Sequence, residues 1–430
     1  MSDAVSNNPP MNRAQRRSAA RKVAAAGSAA VLASATAGAV MTFTGSVAGA
    51  APTDVTTCAD SGAGSLRAAV LYTNTHSGPD TITITAVCDA SGPVDVGTQL
   101  LVQEALTIVG PGAADFVLDG GGVTSVFYVN SGSDFSLSGV TIQNGYSSDG
   151  GGMQVASAAA VTISGVVFSG NEASQDGGAL YLNGSDAVTI VDSTFVDNEA
   201  LYNGGALYLI NNDGPVVIAN STFAGNTAGG NGGAISIYEH PGSVAIYNST
   251  ITGNTAGVNG AAIAVMGLYA EMTMLFNTIA DNEGYNDDGV YVEYEGETVT
   301  MIGNIVASAD DGIVVNVDPL QTMVTSHNDF FGSVSGFTPD ATDLDVDPLL
   351  GALADNGGPT QTRALAATSP VIGQGPTAWT TFVGDGFDQR GAPYARVVDG
   401  RADIGAFEVQ AAEPPAPPAP EPTPEPTFTG

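Results

Sequence analysis

The residues of this 430-residue chain that could do chemistry are mostly carboxylates. Asp287-Asp288 and Asp310-Asp311 form two adjacent pairs, with Glu293, Glu295 and Glu297 alternating between them. Paired carboxylates can divide acid and base roles in glycoside hydrolysis, or hold a hard cation through oxygen. A Ca²⁺-dependent lyase also needs a basic residue to take a proton, and a hydrolase of acidic sugars needs cations and histidines around its substrate. Neither is at hand, because no Lys or Arg occurs between Arg67 and Arg363. The three histidines, His76, His240 and His327, stand beside no carboxylate pair in a recognisable motif. Acidic loops facing water are the plainer reading. Asp287, Asp288, Asp310 and Asp311 are kept as candidate Ca²⁺ ligands and as weak catalytic candidates, and no cofactor is required.

The other candidates are aromatic. Tyr181, Tyr208 and Tyr291 fall at matching outward positions on the strand after the Gly pair, in two adjacent units and a later one, and Tyr238 and Tyr294 lie close by. Exposed tyrosines on a flat β surface suit stacking against sugars or an adhesive contact. Cross-strand packing is the plain structural alternative.

What positions these residues is a repeat. Gly pairs recur at Gly151-Gly152, Gly177-Gly178, Gly204-Gly205 and Gly232-Gly233, with Gly260-Ala261 next. A hydrophobe-x-x-Asn mark recurs at Asn171, Asn198, Asn226, Asn254 and Asn282, spaced 27, 28, 28 and 28 residues. Inside each unit apolar residues alternate, as in Leu180/Leu182 and Val188/Ile190, so each ~27-residue unit holds about three short strands with one buried face. One unit cannot bury its own face, and stacking unit on unit can. The fold expected is all-β: a right-handed parallel β-helix of about 8–9 coils. At about 4.8 Å per stacked strand the rod is on the order of 40 Å long. A propeller blade needs roughly 40–50 residues, more than this period supplies. The Asn row reads as a structural ladder at sharp turns. Ser193, Ser221 and Ser249 form a shorter row of the same kind.

The flanks differ in composition. Arg13, Arg16, Arg17, Arg21 and Lys22 precede an uncharged Ala/Val/Gly run ending at Ala48-Gly49-Ala50, which reads as an export signal over residues 1–50. A membrane anchor is the alternative. Beyond it stand 43 acidic residues against five arginines, a net charge of about −38 that repels nucleic acid and anionic lipid. No membrane span is expected after leader cleavage. Residues 51–100 form an N-terminal cap in which Cys58 and Cys88, the only cysteines, pair as a disulfide if the compartment is oxidising, and otherwise stay free. The β-helix is placed over 101–345, a C-terminal capping module over 346–410, and a Pro-rich tail of spacer composition over 411–430. In the module, Arg390 and Arg401 lie near Asp388, Asp399 and Asp403, where ion pairs are expected.

These motifs carry resemblances. The Gly-Gly-Ala-Leu/Ile and Phe-x-x-Asn marks resemble the repeats of polymorphic outer-membrane proteins, within the pectate-lyase-like β-helix group. GSLRAAV (64–70) is similar to an N-terminal module named for Cys-Ser-Leu-Arg-Glu-Ala, with Gly64 and Ala68 departing from its Cys and Glu. DPLLGALADNGGPTQTRALAATSPVIGQG (347–375), DQRG (388–391) and DIGAFE (403–408) resemble the choice-of-anchor Q domain of secreted bacterial surface proteins. Arg363 stands where that family usually has His, and Gly373 where it usually has Asp. The resemblance implies fold, export and a surface setting, and carries no activity. The chain is therefore expected to be secreted or surface-associated and to act through non-catalytic adhesion, its partner an extracellular glycan or a surface protein. The alternatives are a polysaccharide lyase or glycoside hydrolase of the same fold, and a passive spacer.

Overall fold

The computed structural model describes residues 53–88, 92–268, 270–286, 289–294, 298–308, 313–317, 322–377 and 386–410. The expected leader, the Pro-rich tail and both pairs Asp287-Asp288 and Asp310-Asp311 lie outside the described residues. The fold is an all-β, right-handed parallel solenoid of about nine turns.

Each turn runs through three faces. In one coil the first face is Leu180–Asn183, the second Ser185–Val191 and the third Thr194–Val196, followed by the two-residue rung Glu199–Ala200. Every strand pairs in parallel with its equivalent one coil on: Leu180 faces Leu207, Val188 faces Val216, and Phe195 faces Phe223. The inward residues form columns. Phe168, Phe195 and Phe223 stack at 4.8 and 4.6 Å between ring centroids and are fully buried. Fully buried Ile251, Ile279 and Val306 continue that column.

The Gly pair has two separate causes. The first glycine of the later pairs takes a left-handed backbone, with φ of 67° at Gly177, 65° at Gly204 and 69° at Gly232. In the coil before them that place is held by Gly150, at 62°, so the pair in structural register there is Gly150-Gly151 rather than the expected Gly151-Gly152. The second is squeezed between coils: a Cβ on Gly178 would sit 2.1 Å from the Gly205 carbonyl oxygen, and one on Gly205 2.2 Å from that of Gly233.

Polar ladders close the corners. Asn171, Asn198, Asn226 and Asn254 each donate a backbone N–H to the side-chain Oδ1 of the next Asn in the series, ending on Asn282, at 2.9 to 3.1 Å. Their NH₂ groups also reach back to carbonyls one coil behind, as Asn226 does to Phe195. The serine row extends further than its residue type suggests. Ser193 donates its N–H to Ser221 Oγ and Ser221 to Ser249 Oγ. The series then changes to amides through Asn277, Asn304 and Asn328, and ends on the Asp343 carboxylate. These bonds give the corner N–H groups of both series partners inside the solenoid, the condition that makes a polar interior tolerable.

The first coil is covered by the helix Leu66–Thr73, N-capped by Ser65, which accepts from Ala68 N. The helix turns Leu66, Ala69 and Val70 into the core. Cys58 and Cys88 are joined in a disulfide with a Cα separation of 5.7 Å, and Arg67 pairs with Asp60.

At the far end Leu344 bridges to Asp329, and Asn328 bonds Asp343, closing the last coil. The chain beyond does more than cap. It turns back along the third face as a strap containing the antiparallel pair Leu350–Ala354 and Thr362–Leu365. The strap docks on the outward column Thr222, Thr250, Thr278, Ile305 and Asp329, one residue from each successive coil. Thr222 Oγ1 donates to the Gln361 carbonyl, Thr250 Oγ1 to Gln389 Oε1, and Thr278 Oγ1 accepts from Ala406 N. Ile305 packs in a cluster with Leu365, Val371 and Ile404. Thr194, the residue before this column, is only partly buried, so the strap ends near the Thr222 coil.

Candidate functional site

The predicted tyrosines sort into buried and exposed members. Tyr181 and Tyr208 point outward from the first face in register. Their rings lie 5.6 Å apart and nearly parallel, so they cover each other. Tyr208 is only 6 % exposed, and Tyr181 is half-buried. Burial, followed by the nearby Asp149, raises the Tyr181 phenol above its ordinary range. Burial, followed by Asp176, raises that of Tyr208. Tyr208 is therefore a packed rung of the sheet, the outcome expected when identical residues stack at one coil spacing. The next residues along its row, Ser236 and Ala264, are fully buried. Tyr238 stands on the neighbouring outward row and is 38 % exposed. Tyr291 is half-buried and donates to Glu293 Oε2 at 3.4 Å. Tyr294 ends the strand Val290–Tyr294, and its side chain lies outside the described set.

The most exposed aromatics lie at a corner that the strand pattern does not mark. Tyr202, Gly230 and Val258 hold equivalent places in successive turns just before the first face, and the series passes on to Asn286, with Tyr285 beside it. Gly230 N donates to the Tyr202 carbonyl, and Val258 N to that of Gly230. Tyr202 is 54 % and Tyr285 83 % exposed. Three coil steps separate them, about 14 Å along the axis. Beside them runs another amide series: Asn203 donates to Asp176 Oδ1, Asn231 to Asn203 Oδ1, and Asn286 to Asn259 Oδ1. Asn-Gly dipeptides are the signal that could have marked this corner as an exposed turn.

Buried charge is concentrated in the strap. Asp388 and Arg390 form a buried pair at 2.6 Å, and the guanidinium lies 3.9 Å from the ring centroids of both Tyr394 and Phe407. Arg401 is exposed and pairs with no acid among the described residues. The second buried arginine is instead Arg396, fully enclosed. It donates to the carbonyls of Gly405 and Ala406 and to Asn248 Oδ1, lies 3.8 Å from Glu408 and 4.8 Å over the Phe276 ring. Phe276 sits at φ 53°, an unusual backbone for a bulky residue, in a column of turn residues that includes Asn220 and Asn248. Burial pushes the Glu408 carboxyl up to about 8, against the pull of Arg396. Burial also raises Asp403, whose oxygens accept from Gly373 N and Val409 N. Asp329, under the strap's first residues, is pushed by burial up to about 7.

One further titratable group is buried among the coils. His240 ends the strand Ile235–His240 and is fully enclosed, with no well-formed hydrogen bond to either ring nitrogen. Burial pushes its imidazole down to about 4, with backbone groups of Ser243 and Asn212 opposing the shift. Among the described residues, no three acidic, His or Cys side chains come together as a metal-binding group, and no helix is long and apolar enough to cross a membrane.

With this geometry in place, the comparisons with known proteins are narrow. The family described as a right handed beta helix region matches residues 178–343. The Chlamydia polymorphic membrane protein repeat matches residues 165–183. No curated protein and no solved structure gives a significant match. The two matches fit a surface-exposed β-helix protein of bacterial type.

Proposed function

We propose that this protein is an extracellular rod that binds glycan without cleaving it, through tyrosines on the first face and its corner. The observation that carries the reading is the exposed set Tyr202, Tyr238 and Tyr285, with Tyr202 on a backbone hydrogen-bond series between turns and Tyr238 in the parallel strand ladder. Rigid aromatic rings offer contact area at low entropic cost, and sugars stack on them. The leader composition, the Pro-rich tail and the likeness of residues 347–408 to an anchor-associated domain support a cell-surface setting. The lack of Lys and Arg from 68 to 362 disfavours polyanionic ligands along the coils.

The test is size-exclusion chromatography of the purified protein with neutral and acidic polysaccharides, with and without Ca²⁺. Co-elution with polymer of unchanged length is expected, and it should weaken in Tyr202→Ala/Tyr238→Ala while the circular dichroism stays the same. Shortened polymer would replace the reading with catalysis and direct attention to Asp287, Asp288, Asp310 and Asp311. Neither effect would leave a surface-protein partner or a passive spacer as the better account.

A further inference from the structure

A cleft beside the strap's buried carboxylates has no part in the reading above. Its volume is about 310 Å³, room for one small group rather than a polymer. Ile372, Val398 and Val409 supply apolar wall, and Arg401 and Glu408 supply polar groups. One feature sets Arg401 apart. Arg67, Arg363, Arg390 and Arg396 are each committed to an acid, at Asp60, Asp281, Asp388 and Glu408. Arg401 alone among the described arginines is exposed and unpaired, in a chain with 44 acidic residues. Glu408 is 1 % exposed and its Oε2 accepts from Asp403 N at 2.7 Å, so its carboxylate is turned into the strap and leaves Arg401 as the cleft's accessible charge of positive sign.

We infer that this cleft binds a small monocarboxylate carrying an apolar group, such as the end of an acylated amino acid: the carboxylate on Arg401 and the apolar group against Ile372, Val398 and Val409. A guanidinium takes a carboxylate through two parallel hydrogen bonds. Asp399 and Asp403 also line the cleft, so a ligand of higher negative charge is disfavoured. The distant acids of the coils matter less, since charges beyond about 8 Å are screened at physiological salt. Two sources share this chemistry, a free acyl amino acid and the C-terminus of a peptide.

The experiment is isothermal titration of the full chain with N-acetylvaline, with N-acetylvalinamide, and with a tetrapeptide ending in valine. The acid is expected to bind saturably at millimolar concentration, and the uncharged amide about tenfold or more weaker, a loss of about 1.4 kcal/mol. Arg401→Gln, at an exposed turn, should lose the same factor with an unchanged unfolding midpoint. Tighter binding of the tetrapeptide identifies a peptide end as the source, and equal binding identifies the free acyl amino acid. Saturation by none of the three, equal affinity for acid and amide, or an Arg401→Gln protein that binds like wild type would each overturn the inference. The polysaccharide experiment on the tyrosine corner is independent of all these outcomes.

Discussion

The coils and the strap that lies on them bury polar groups in opposite ways. In the coils the buried groups are neutral, repeated and matched to their own copies one turn away, as in the series from Asn171 to Asn282. In the strap they are used once and are mostly ionisable: Asp388 with Arg390 and Arg396 with Glu408, beside the neutral Gln389 set between Thr222, Thr250 and Thr360. A repeat array sums small nearest-neighbour terms, so its stability is spread along the rod. The strap concentrates its stability in a few residues that tie five coils to each other. The coils should thus tolerate damage locally, and the strap should come off as a unit.

The largest expected effect is at Arg396. Arg396→Ala leaves the carbonyls of Gly405 and Ala406 and Asn248 Oδ1 without their donor and strips the cover from Phe276. Removing one partner from a buried charged network costs about 3–5 kcal/mol. Limited proteolysis should cut between residues 347 and 410 while the far-ultraviolet circular dichroism of the coils persists. Joint collapse of coils and strap would erase the distinction between them.

Next is Asn226→Ala. It orphans the Asn198 N–H and the Phe195 carbonyl, takes one acceptor from the Asn198 amide, and leaves Asn254 Oδ1 with the backbone N–H of residue 226 as a donor. Buried unmet groups cost about 1–3 kcal/mol each and do not add fully, so about 3 kcal/mol is expected in urea unfolding. Hydrogen exchange should quicken within one coil on either side and leave the strap unchanged.

The two regions should also answer pH with opposite signs. His240 titrates near 6.5 when unfolded and near 4 in the fold, so between those values the unfolded chain holds the extra proton. Stability of the coils around it falls as pH drops through that window, by up to about 3 kcal/mol at the bottom. Glu408 runs the other way, from an ordinary 4.5 to about 8, and Asp329 from 3.8 to about 7. Their contribution is full in acid and is lost as pH rises through those higher values, a loss of a few kcal/mol. Hydrogen exchange at pH 5 and pH 8.5 checks this: the strap should open faster at the higher pH, and coils 212–243 at the lower. Glu408→Gln should flatten the first trend and leave the second intact.

The same contrast explains what the sequence made legible. The coils announce themselves because a repeated environment selects the same residue at the same spacing, as at Phe195 and Phe223 or Gly204 and Gly232. Where the environment is met by a different residue the pattern fades. The serine row passes into Asn277, Asn304 and Asn328 as the final spacing shrinks to 24 residues, and only the hydrogen bonds join the two halves. The strap left no periodic trace. Thr222, Thr250 and Thr278 look like any outward β positions, and their partners lie well over a hundred residues away. Nearness in sequence suggested Arg390 and Arg401 as the paired arginines, yet the second buried site belongs to Arg396, whose acid is twelve residues on. Tyr208 and Tyr202 show the same limit on the candidate site. Six residues apart, one is buried by a stacked neighbour and the other is left at an open corner.

The smallest effect tests where the strap's character ends. Arg363 reaches across to Asp281 and also donates to the Gly351 carbonyl and to Thr252 Oγ1. The arginine side chain is 11 % exposed, but the aspartate is 52 % exposed, so water and salt weaken the pair. Asp281 has φ 56°, a backbone that Asn also tolerates, which makes Asp281→Asn a clean removal of charge. A loss of about 0.5 kcal/mol is expected, shrinking further in high salt. A double-mutant cycle with Arg363→Gln isolates the pair itself. A coupling above about 2 kcal/mol would mean that the buried-charge regime of Arg396 extends to the strap's outer edge. A coupling near zero would leave the strap held by its enclosed residues alone, with Arg363 serving mainly as a donor to its own hairpin.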